Sequence, residues 1–221
     1  CDTFKHVFET MRSDSSLFAL VAIENTIAGS LLANHHLLKE SGLKIIGEQK
    51  LRICHNLAAL PGQSIDDIKE AHSHPNALTR CGDILQTNKH TKAIESDDTA
   101  SSAKRVAEEG IKGHAAICGE LAAEIYGLEI VARGIETNKR NFTRFLAITD
   151  SWNADDIIKN QNVDKASLVF TLPHEEGSLA KVLSILSYYD MNLTKIQSLP
   201  IVGREWEYQF YTDLKFENYL K

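Results

Sequence analysis

Several features that point to common classes of protein are missing from this sequence. The four cysteines, at positions 1, 54, 81 and 118, are widely spaced and include no CxxC pair, so neither a zinc site nor a disulfide framework is indicated. The longest apolar run, residues 17–23, is far too short to span a bilayer. Neither a GxGxxG nor a P-loop sequence occurs, so nucleotide binding has no support.

An excess of positive charge is also missing. The formal net charge is -6 and the pI is near 5.9, with lysines and arginines scattered among acids, which argues against a nucleic-acid partner. There is no initiator Met and no signal peptide, so we expect the chain to begin after an unseen or removed N-terminal segment. The widely spaced cysteines fit a reducing cytoplasm best. With 221 residues, 43% of them apolar, the sequence predicts a soluble globular protein with one large domain or two unequal ones.

What the sequence does contain is a repeated order of strand, polar turn and helix. Residues 17–23 predict a buried strand that is followed by Glu24-Asn25-Thr26 and by a helix from Ile27 to about Lys39. The same order recurs over residues 70–85, 91–109 and 115–127, and predicts an α/β fold of parallel strands covered by helices. Each polar turn alone is explained by helix capping, but several of them at strand ends predict a shared ligand cleft.

The remaining N-terminal elements are assigned from local patterns. We expect a helix over residues 1–12, strands over residues 42–48, 50–57 and 128–135, and a capping box formed by Ser64 and Asp67. Ser73 or Asn76 either caps the following helix or contacts a substrate. His72 and another histidine, His74, could face one way and bind a metal, but no third ligand lies at a convincing spacing, so no metal site is expected.

A short stretch, residues 141–146, places a hydroxyl and a guanidinium between aromatic rings at the start of an apolar strand. Burying Arg144 without an anion is costly. One interpretation is that Arg144 pairs with an Asp or Glu of the fold, and this stretch alone favours it. The other is that Arg144 grips a substrate carboxylate, with Thr143 beside it as a proton donor.

The C-terminal part begins after a polar segment, residues 151–162, that has no clear period and is interpreted as a linker. The alternation over residues 166–172 predicts a strand, Gly177 precedes a predicted helix, and residues 192–196 and 205–214 predict two further strands. This β-α-β-β order is the front part of a ferredoxin-like domain that lacks its second helix and fourth strand.

Several motifs taken together resemble prephenate dehydratase with its C-terminal ACT regulatory domain. They run through nearly the whole chain and comprise Glu24-Asn25-Thr26, Ser73-His74-Pro75 with Cys81, Asn141-Phe142-Thr143-Arg144-Phe145, and Asn192-Leu193-Thr194-Lys195-Ile196 followed by Pro200. The family's opening strand and the tail of its ACT domain are absent from this sequence, so the resemblance implies a member trimmed at both ends.

The resemblance implies a two-lobed, periplasmic-binding-protein-like α/β catalytic domain plus a ferredoxin-like (βαββαβ) ACT domain. We expect the catalytic domain over residues 1–150, a linker over 151–163 and an incomplete ACT domain over 164–221. It also implies the decarboxylation and dehydration of prephenate to phenylpyruvate in phenylalanine biosynthesis, with no cofactor and no metal.

By the same resemblance, Thr143 donates a proton or a strong hydrogen bond to the departing hydroxyl, and a dry cleft strengthens that bond. The remaining roles are substrate orientation, carboxylate binding and shaping of the pocket. The implied catalytic residues are Thr143, Asn25 and Arg144, and the implied substrate-binding residues are Ser73, Phe145, Thr26, Glu24 and Arg80. Arg80 stands where the family commonly has a Gln, so it either binds a substrate carboxylate or turns away from the cleft.

The ACT resemblance implies feedback inhibition by L-phenylalanine, bound between ACT domains of a homodimer or homotetramer, with no membrane or nucleic-acid partner. The implied phenylalanine-binding residues are Gly177, Ser178, Leu179, Ala180, Asn192 and Leu193. The family's Glu-Ser-Arg-Pro motif is Gln197-Ser198-Leu199-Pro200 here, which loses both charges.

Three rival interpretations stay open. The aminated substrate arogenate undergoes the same chemistry, and the sequence does not distinguish an arogenate dehydratase from a prephenate dehydratase. Two α/β lobes around a cleft also describe non-catalytic small-molecule-binding proteins. A purely regulatory subunit, in which Arg80 has abolished turnover, is the third.

Overall fold

The computed structural model describes residue 1 and residues 3–159 and 161–217. These residues form two compact units, each built from separate segments of the chain. The first unit contains Cys1–Ile23, Ser30–Gln49 and the chain from Phe145 onward, and the second contains Glu24–Gly29 and Lys50–Arg144. The boundaries therefore fall within strands.

A four-stranded sheet and its helices form the N-terminal part of the fold, with strand order β2-β1-β9-β3. Its elements are α1 (Phe4–Ser13), β1 (Phe18–Asn25), β2 (Gly29–Ser30), α2 (Leu32–Ser41), β3 (Lys44–Arg52) and, later in the chain, β9 (Phe142–Thr149) and α7 (Ser151–Ile158). The predicted first helix buries Phe8 and Met11 against Val21 and Ile148, because its apolar residues share one face.

The predicted helix from Ile27 is wrong at its start. Residues 26–28 form a turn, β2 follows, and α2 begins only at Leu32, because the side chain of Asn25 holds the chain in that turn. Gly42 ends α2 in the left-handed conformation, at φ 73°, as its position in the sequence predicted.

The second unit is built on a five-stranded sheet with strand order β6-β5-β7-β4-β8. Its strands are β4 (Asn56–Ala59), β5 (Glu70–Ser73), β6 (Lys92–Glu95), β7 (His114–Cys118) and β8 (Glu129–Ala132). Its helices are α3 (Pro75–Arg80), α4 (Gly82–Thr87), α5 (Thr99–Glu109) and α6 (Glu120–Ile125), with a single 3-10 turn over Ile65–Asp67 that has the predicted capping box.

Successive residues of β4 and β7 point to opposite faces of this sheet, and both faces are buried. Leu57 and Ile117 belong to one apolar cluster, whereas Ala58 and Ala116 belong to the other. Strand β5 is parallel to β6 and β7, as predicted, but β4 is antiparallel to both β7 and β8. The α/β fold class is confirmed, and the expectation of an all-parallel sheet is wrong for this edge.

Two assignments in the middle of the chain also change. Residues 44–52 form one strand, β3, where we expected a break, and the buried strand β4 begins only at Asn56. The polar segment from Ser151 is the helix α7, because the Asp150 carboxylate accepts the backbone N–H of Asn153 and Ala154 is fully buried.

The C-terminal part has the predicted β-α-β-β order. Its elements are β10 (Lys165–Thr171), α8 (Ser178–Tyr188), β11 (Asn192–Pro200) and β12 (Tyr208–Lys215), and its sheet has the strand order β10-β12-β11. Both outer strands are antiparallel to β12 and hence parallel to one another. None of the helices in the described ranges combines the length and the apolar composition that a bilayer crossing requires.

Candidate active site

Asn25 connects the end of β1 to the start of β9. Its side-chain Nδ2 donates to Asn141 Oδ1 at 2.7 Å, to the carbonyl oxygen of Phe142 at 3.1 Å and to Thr143 Oγ1 at 3.1 Å. The side chain is only 7% exposed, so these bonds form largely away from water. The structure therefore brings together two residues that the sequence assigned to catalysis, Asn25 and Thr143.

The rest of the Asn25 side chain fixes its own orientation. Oδ1 accepts the backbone N–H groups of Ile27 and Ala28 at 3.0 and 2.9 Å, which directs Nδ2 toward β9. Thr26 also ties the end of β1 to the chain at the start of β9. Its hydroxyl donates to the carbonyl oxygen of Arg140 and accepts the backbone N–H of Phe142, both at 2.9 Å. The Thr26 hydroxyl thus already serves the backbone, which favours a positioning role over substrate contact.

Arg144 is paired within the fold. Its Nε lies 3.2 Å from Oε2 of Glu24, and the two side chains are 15% and 36% exposed. These residues lie on the neighbouring strands β9 and β1, which explains the pairing. The structure therefore contains the internal ion pair that the first interpretation of Arg144 predicted, one residue from Thr143.

Ser73 and Arg80 make hydrogen bonds elsewhere in the second unit. The Ser73 side chain is fully buried and donates to the carbonyl oxygen of Ile117 at 2.7 Å, which ties β5 to β7. Arg80 closes α3, and its carbonyl accepts the N–H of Thr137. The predicted cap of α3 is wrong, because His74 Nδ1 caps this helix by accepting the N–H of Asn76.

Asn141 is a site residue that the sequence motif contained but that we had not assigned a role. It is fully buried, its carbonyl accepts the N–H of Ile53 at 2.8 Å, and its Oδ1 accepts from Asn25. Among the described residues, its Nδ2 has no hydrogen-bond acceptor. A buried donor of this kind, close in sequence to Thr143, is suited to bind an oxygen atom of a ligand.

Phe145, another predicted site residue on β9, is half-buried.

A second buried polar group lies near the start of β4. Glu136 is 1% exposed, accepts the N–H of His55 at 3.0 Å through Oε2, and has Arg52 3.6 Å from Oε1. Burial lowers the pKa of His55, the charge of Glu136 opposes that shift, and the charge of Arg80 adds to it.

Burial, followed by the charge of Glu136, raises the pKa of the Cys81 thiol to about 12. Cys81 is therefore a protonated core residue and a poor nucleophile.

The predicted phenylalanine-binding region lies beside a pocket of about 140 Å³ in the C-terminal part. Ser178 and Leu179 contribute to its lining together with Leu172, Trp206, Tyr208 and Phe210. Gly177 adopts a φ of 78° and precedes α8, which explains why a glycine is needed at this turn. The other four predicted residues, Gly177, Ala180, Asn192 and Leu193, are not part of this lining, so only Ser178 and Leu179 of the predicted set lie at the pocket.

The geometry around Asn25 defines what this site can do. The Thr143 oxygen accepts from the Asn25 amide, so its proton is directed at another acceptor, and accepting that bond makes the hydroxyl a stronger donor. A cation, Arg144, follows in the chain and is held by Glu24. Successive side chains of a strand point to opposite faces, so the pair of Glu24 and Arg144 lies on the other face of β9 from the pair of Asn25 and Thr143. The Thr143 hydroxyl can donate a hydrogen bond to a leaving oxygen.

Comparison with known proteins identifies relatives with matching sequence and fold. The family model described as "Prephenate dehydratase" matches residues 1–152. The arogenate dehydratase/prephenate dehydratase 2 of Arabidopsis thaliana is 38% identical over 97% of this chain and 58% of its own length. The chain thus spans little more than half of the length of the curated relatives that it matches.

Two solved structures have the same fold. The structure of GqqA, described as a novel type of quorum quenching acylase, has 30% identity and a TM-score of 0.83, over 98% of this chain and 78% of its own. The prephenate dehydratase of Arthrobacter aurescens in complex with L-Phe has 27% identity and a TM-score of 0.79, over 97% of this chain and 70% of its own. Because the family model covers more than half of the chain, the chain belongs to the prephenate dehydratase family.

Proposed function

We propose that this protein converts prephenate into phenylpyruvate, with loss of carbon dioxide and water. The observation that carries the proposal is that the Asn25 amide holds the Thr143 hydroxyl in a member of this family. Prephenate consists of a cyclohexadiene ring with two carboxylates and one hydroxyl. Turnover of prephenate requires a cation that binds a carboxylate and a hydrogen-bond donor for the departing hydroxyl. In our proposal Arg144 is the cation and Thr143 is the donor.

The reaction consumes one proton. The carbon–carbon bond to the ring carboxylate breaks and releases carbon dioxide, its electron pair completes the aromatic ring, and the ring hydroxyl leaves as water after gaining a proton. Thr143 donates a hydrogen bond along which that proton moves, and solvent restores it. Arg144 binds a carboxylate, Asn25 aligns Thr143, and Asn141 Nδ2 offers a further donor. Because aromatisation drives the reaction, positioned residues of the chain suffice.

The substrate-contact roles of Ser73, Phe145, Thr26, Glu24 and Arg80 stay predictions. The contacts of Ser73 and Thr26 with the backbone support positioning roles, and the contact of Glu24 with Arg144 supports orientation of the guanidinium. For Phe145 and Arg80 we retain the roles that the resemblance implies, as a wall for the ring and a cation near a carboxylate.

Regulation by phenylalanine and self-association form the second part of the proposal. We assign residues 164–221 to an ACT domain because the parallel strands β10 and β11 flank β12, as in the front part of a ferredoxin-like fold. Residues 1–150 are the two-lobed, periplasmic-binding-protein-like catalytic domain, and residues 151–163, which contain α7, are the connection. A cytoplasmic location stays a prediction.

Exposed apolar side chains of the proposed ACT domain support a homodimer or homotetramer. They include Leu168, Val169, Ile185, Tyr188 and Ile196, each at least 41% exposed. Large apolar side chains that are exposed in one chain are often covered at a protein–protein interface. The complex of the Arthrobacter aurescens relative with L-Phe supports phenylalanine as the ligand.

The experiment offers prephenate, arogenate and an acylated amine separately to the full-length protein. We expect an aromatic keto acid from prephenate, detected by its ultraviolet absorbance. A preference for arogenate would support the arogenate dehydratase alternative, and release of an acid from the amide would support an acylase. An acylase needs a base for its nucleophile, whereas Thr143 is paired with the Asn25 amide, which cannot accept its proton.

A further inference from the structure

Three side chains with metal-ligand atoms meet at the amino ends of β5 and β7. Glu70 and His72 are two residues apart on β5, which places both on one face, and His114 begins β7 directly opposite Glu70 in register. One ligand atom from each residue lies within 4.8 Å of the other two. The sequence pattern pairs His72 with His74 and offers no third ligand, because the parallel register that brings His114 beside Glu70 is not visible in the sequence.

The separations of these atoms match the edge of a metal coordination sphere. Glu70 Oε2 lies 3.3 Å from His72 Nε2 and 3.5 Å from His114 Nε2. Ligand atoms bound at about 2.0–2.1 Å to one tetrahedral zinc ion lie about 3.3 Å apart. Small rotations of the two imidazoles, whose centroids are 5.2 Å apart, would therefore complete a three-ligand set around one ion.

His72 supplies an independent observation that points to a ligand. Its side chain is only 3% exposed, yet among the described residues neither ring nitrogen has a hydrogen-bond partner. Buried polar atoms are rarely left in this state. A cation bound at Nε2, on the side of Glu70, would satisfy the nitrogen that faces the cluster.

Glu109 gives the cluster a second layer. Its Oε2 lies 3.7 Å from His114 Nδ1, which is beyond hydrogen-bond distance, on the opposite side of the ring from the Nε2 atom that faces Glu70. Arg105 holds Glu109 through a 2.7 Å hydrogen bond, and a small shift of the His114 ring would bring Nδ1 within reach of the carboxylate. A carboxylate behind a histidine is the usual outer partner of a metal ligand, because it orients the ring and increases its basicity.

We propose that Glu70, His72 and His114 bind one divalent cation of the zinc type, with Glu109 as the positioning residue of His114. Two imidazoles and one carboxylate suit zinc, cobalt and nickel better than magnesium or calcium, which prefer oxygen ligands. The site lies at the amino ends of the parallel strands, whereas the polar turns after β5 and β7 lie at their carboxyl ends. The ion would therefore join β5 to β7 and is independent of the proposed dehydratase chemistry.

The test is zinc binding to the full-length protein, measured by equilibrium dialysis with elemental analysis. The variants are His114→Gln and Glu70→Gln, whose native side chains are 21% and 33% exposed and so tolerate replacement, and Glu109→Gln. The matched control is His90→Gln, which alters an exposed histidine outside the cluster. Circular dichroism establishes that each variant is folded.

We expect wild type and His90→Gln to bind one zinc ion per chain with equal affinity. Both ligand variants should bind that ion at least about tenfold more weakly, and Glu109→Gln about tenfold more weakly. Cobalt should give the visible spectrum of a tetrahedral ion in wild type and not in His114→Gln. Equal zinc affinity in wild type and Glu70→Gln, or no zinc binding by wild type, would overturn the proposal.

Discussion

At the scale of single residues, Asn25 carries the largest share of the site geometry. Its amide contacts Asn141 and Thr143 on one side and the turn after β1 on the other. The motif Glu24-Asn25-Thr26 predicted a functional position, and the structure places Asn25 in contact with Thr143, while the function of that position stays a prediction. Its role in the turn could not be predicted, because it depends on which strand pairs with β1.

Replacing Asn25 by Ala should lower both stability and turnover. The variant leaves Asn141 Oδ1 and the N–H groups of Ile27 and Ala28 without partners, which lowers the free energy of unfolding by about 1–3 kcal/mol. Urea unfolding and steady-state kinetics measure the two effects. The matched control is Asn34→Ala, a second buried asparagine, which donates to the carbonyl of Ala22 at 2.8 Å and lies outside the site. Equal turnover in the two variants would remove Asn25 from the catalytic machinery.

Replacing Arg144 by Gln tests whether its cation binds substrate. A charge-assisted bond to a carboxylate contributes about 1.5–3 kcal/mol, so we expect KM to rise at least about tenfold. Glu24→Gln should change KM less, because the role that we propose for Glu24 is to orient the guanidinium.

The control for the Arg144 prediction is Arg133→Gln, which breaks an exposed ion pair with Glu120 and should change neither KM nor stability. An unchanged KM in Arg144→Gln, together with loss of stability, would show that the ion pair with Glu24 is purely structural.

At the scale of helices and strands, the sequence predicted most elements because apolar periodicity and capping residues agree with the final packing. Helix α5 is an example, with Asp98 accepting two N–H groups at its start and Gly110 ending it in the left-handed conformation. The failures lie where tertiary partners decide. The two-residue strand β2 and the antiparallel pairing of β4 leave no local periodic signal.

Strand β4 begins beside a pH-sensitive residue, His55, which is 5% exposed and faces Glu136 and Arg80. Because its pKa in the fold lies below the unfolded value of about 6.5, the unfolded chain binds more protons at acidic pH. The free energy of unfolding should therefore fall as pH decreases below about 6.5.

Urea unfolding at several pH values tests this prediction. His55→Gln should reduce the pH dependence below about 6.5, and His90→Gln, at an exposed histidine, should leave it unchanged. Some slope will remain, because burial also lowers the pKa of His72. A variant His55→Gln with the full wild-type slope would contradict the assignment.

At the scale of the whole molecule, the C-terminal sheet packs against α2 within the first unit. Lys39 Nζ donates a hydrogen bond to the side-chain oxygen of Gln209 at 3.1 Å. His35 Nε2 lies 2.7 Å from Lys195 Nζ, and the His35 ring packs edge-on against the ring of Tyr211. Tyr211 follows Phe210, which lines the proposed phenylalanine pocket.

Phenylalanine binding can be followed through one of the two tryptophans. Trp206 lines the pocket, whereas Trp152 is 84% exposed outside it. In Trp152→Phe, where Trp206 is the remaining tryptophan, we expect phenylalanine to shift the emission and to lower dehydratase activity. In the matched variant Trp206→Phe the emission should not change. If a calorimetric titration of the wild-type protein with phenylalanine detects no binding, the regulatory role is excluded.

The most direct measurement of the central proposal compares prephenate turnover by full-length wild type, Thr143→Ser and Thr143→Val. Serine keeps the hydroxyl that accepts from Asn25, and valine keeps the shape without it. We expect Thr143→Val to lose about 100-fold or more in kcat with little change in KM, and Thr143→Ser to keep most of the activity. Wild-type turnover by Thr143→Val, or no aromatic product from the wild-type protein, would contradict the account.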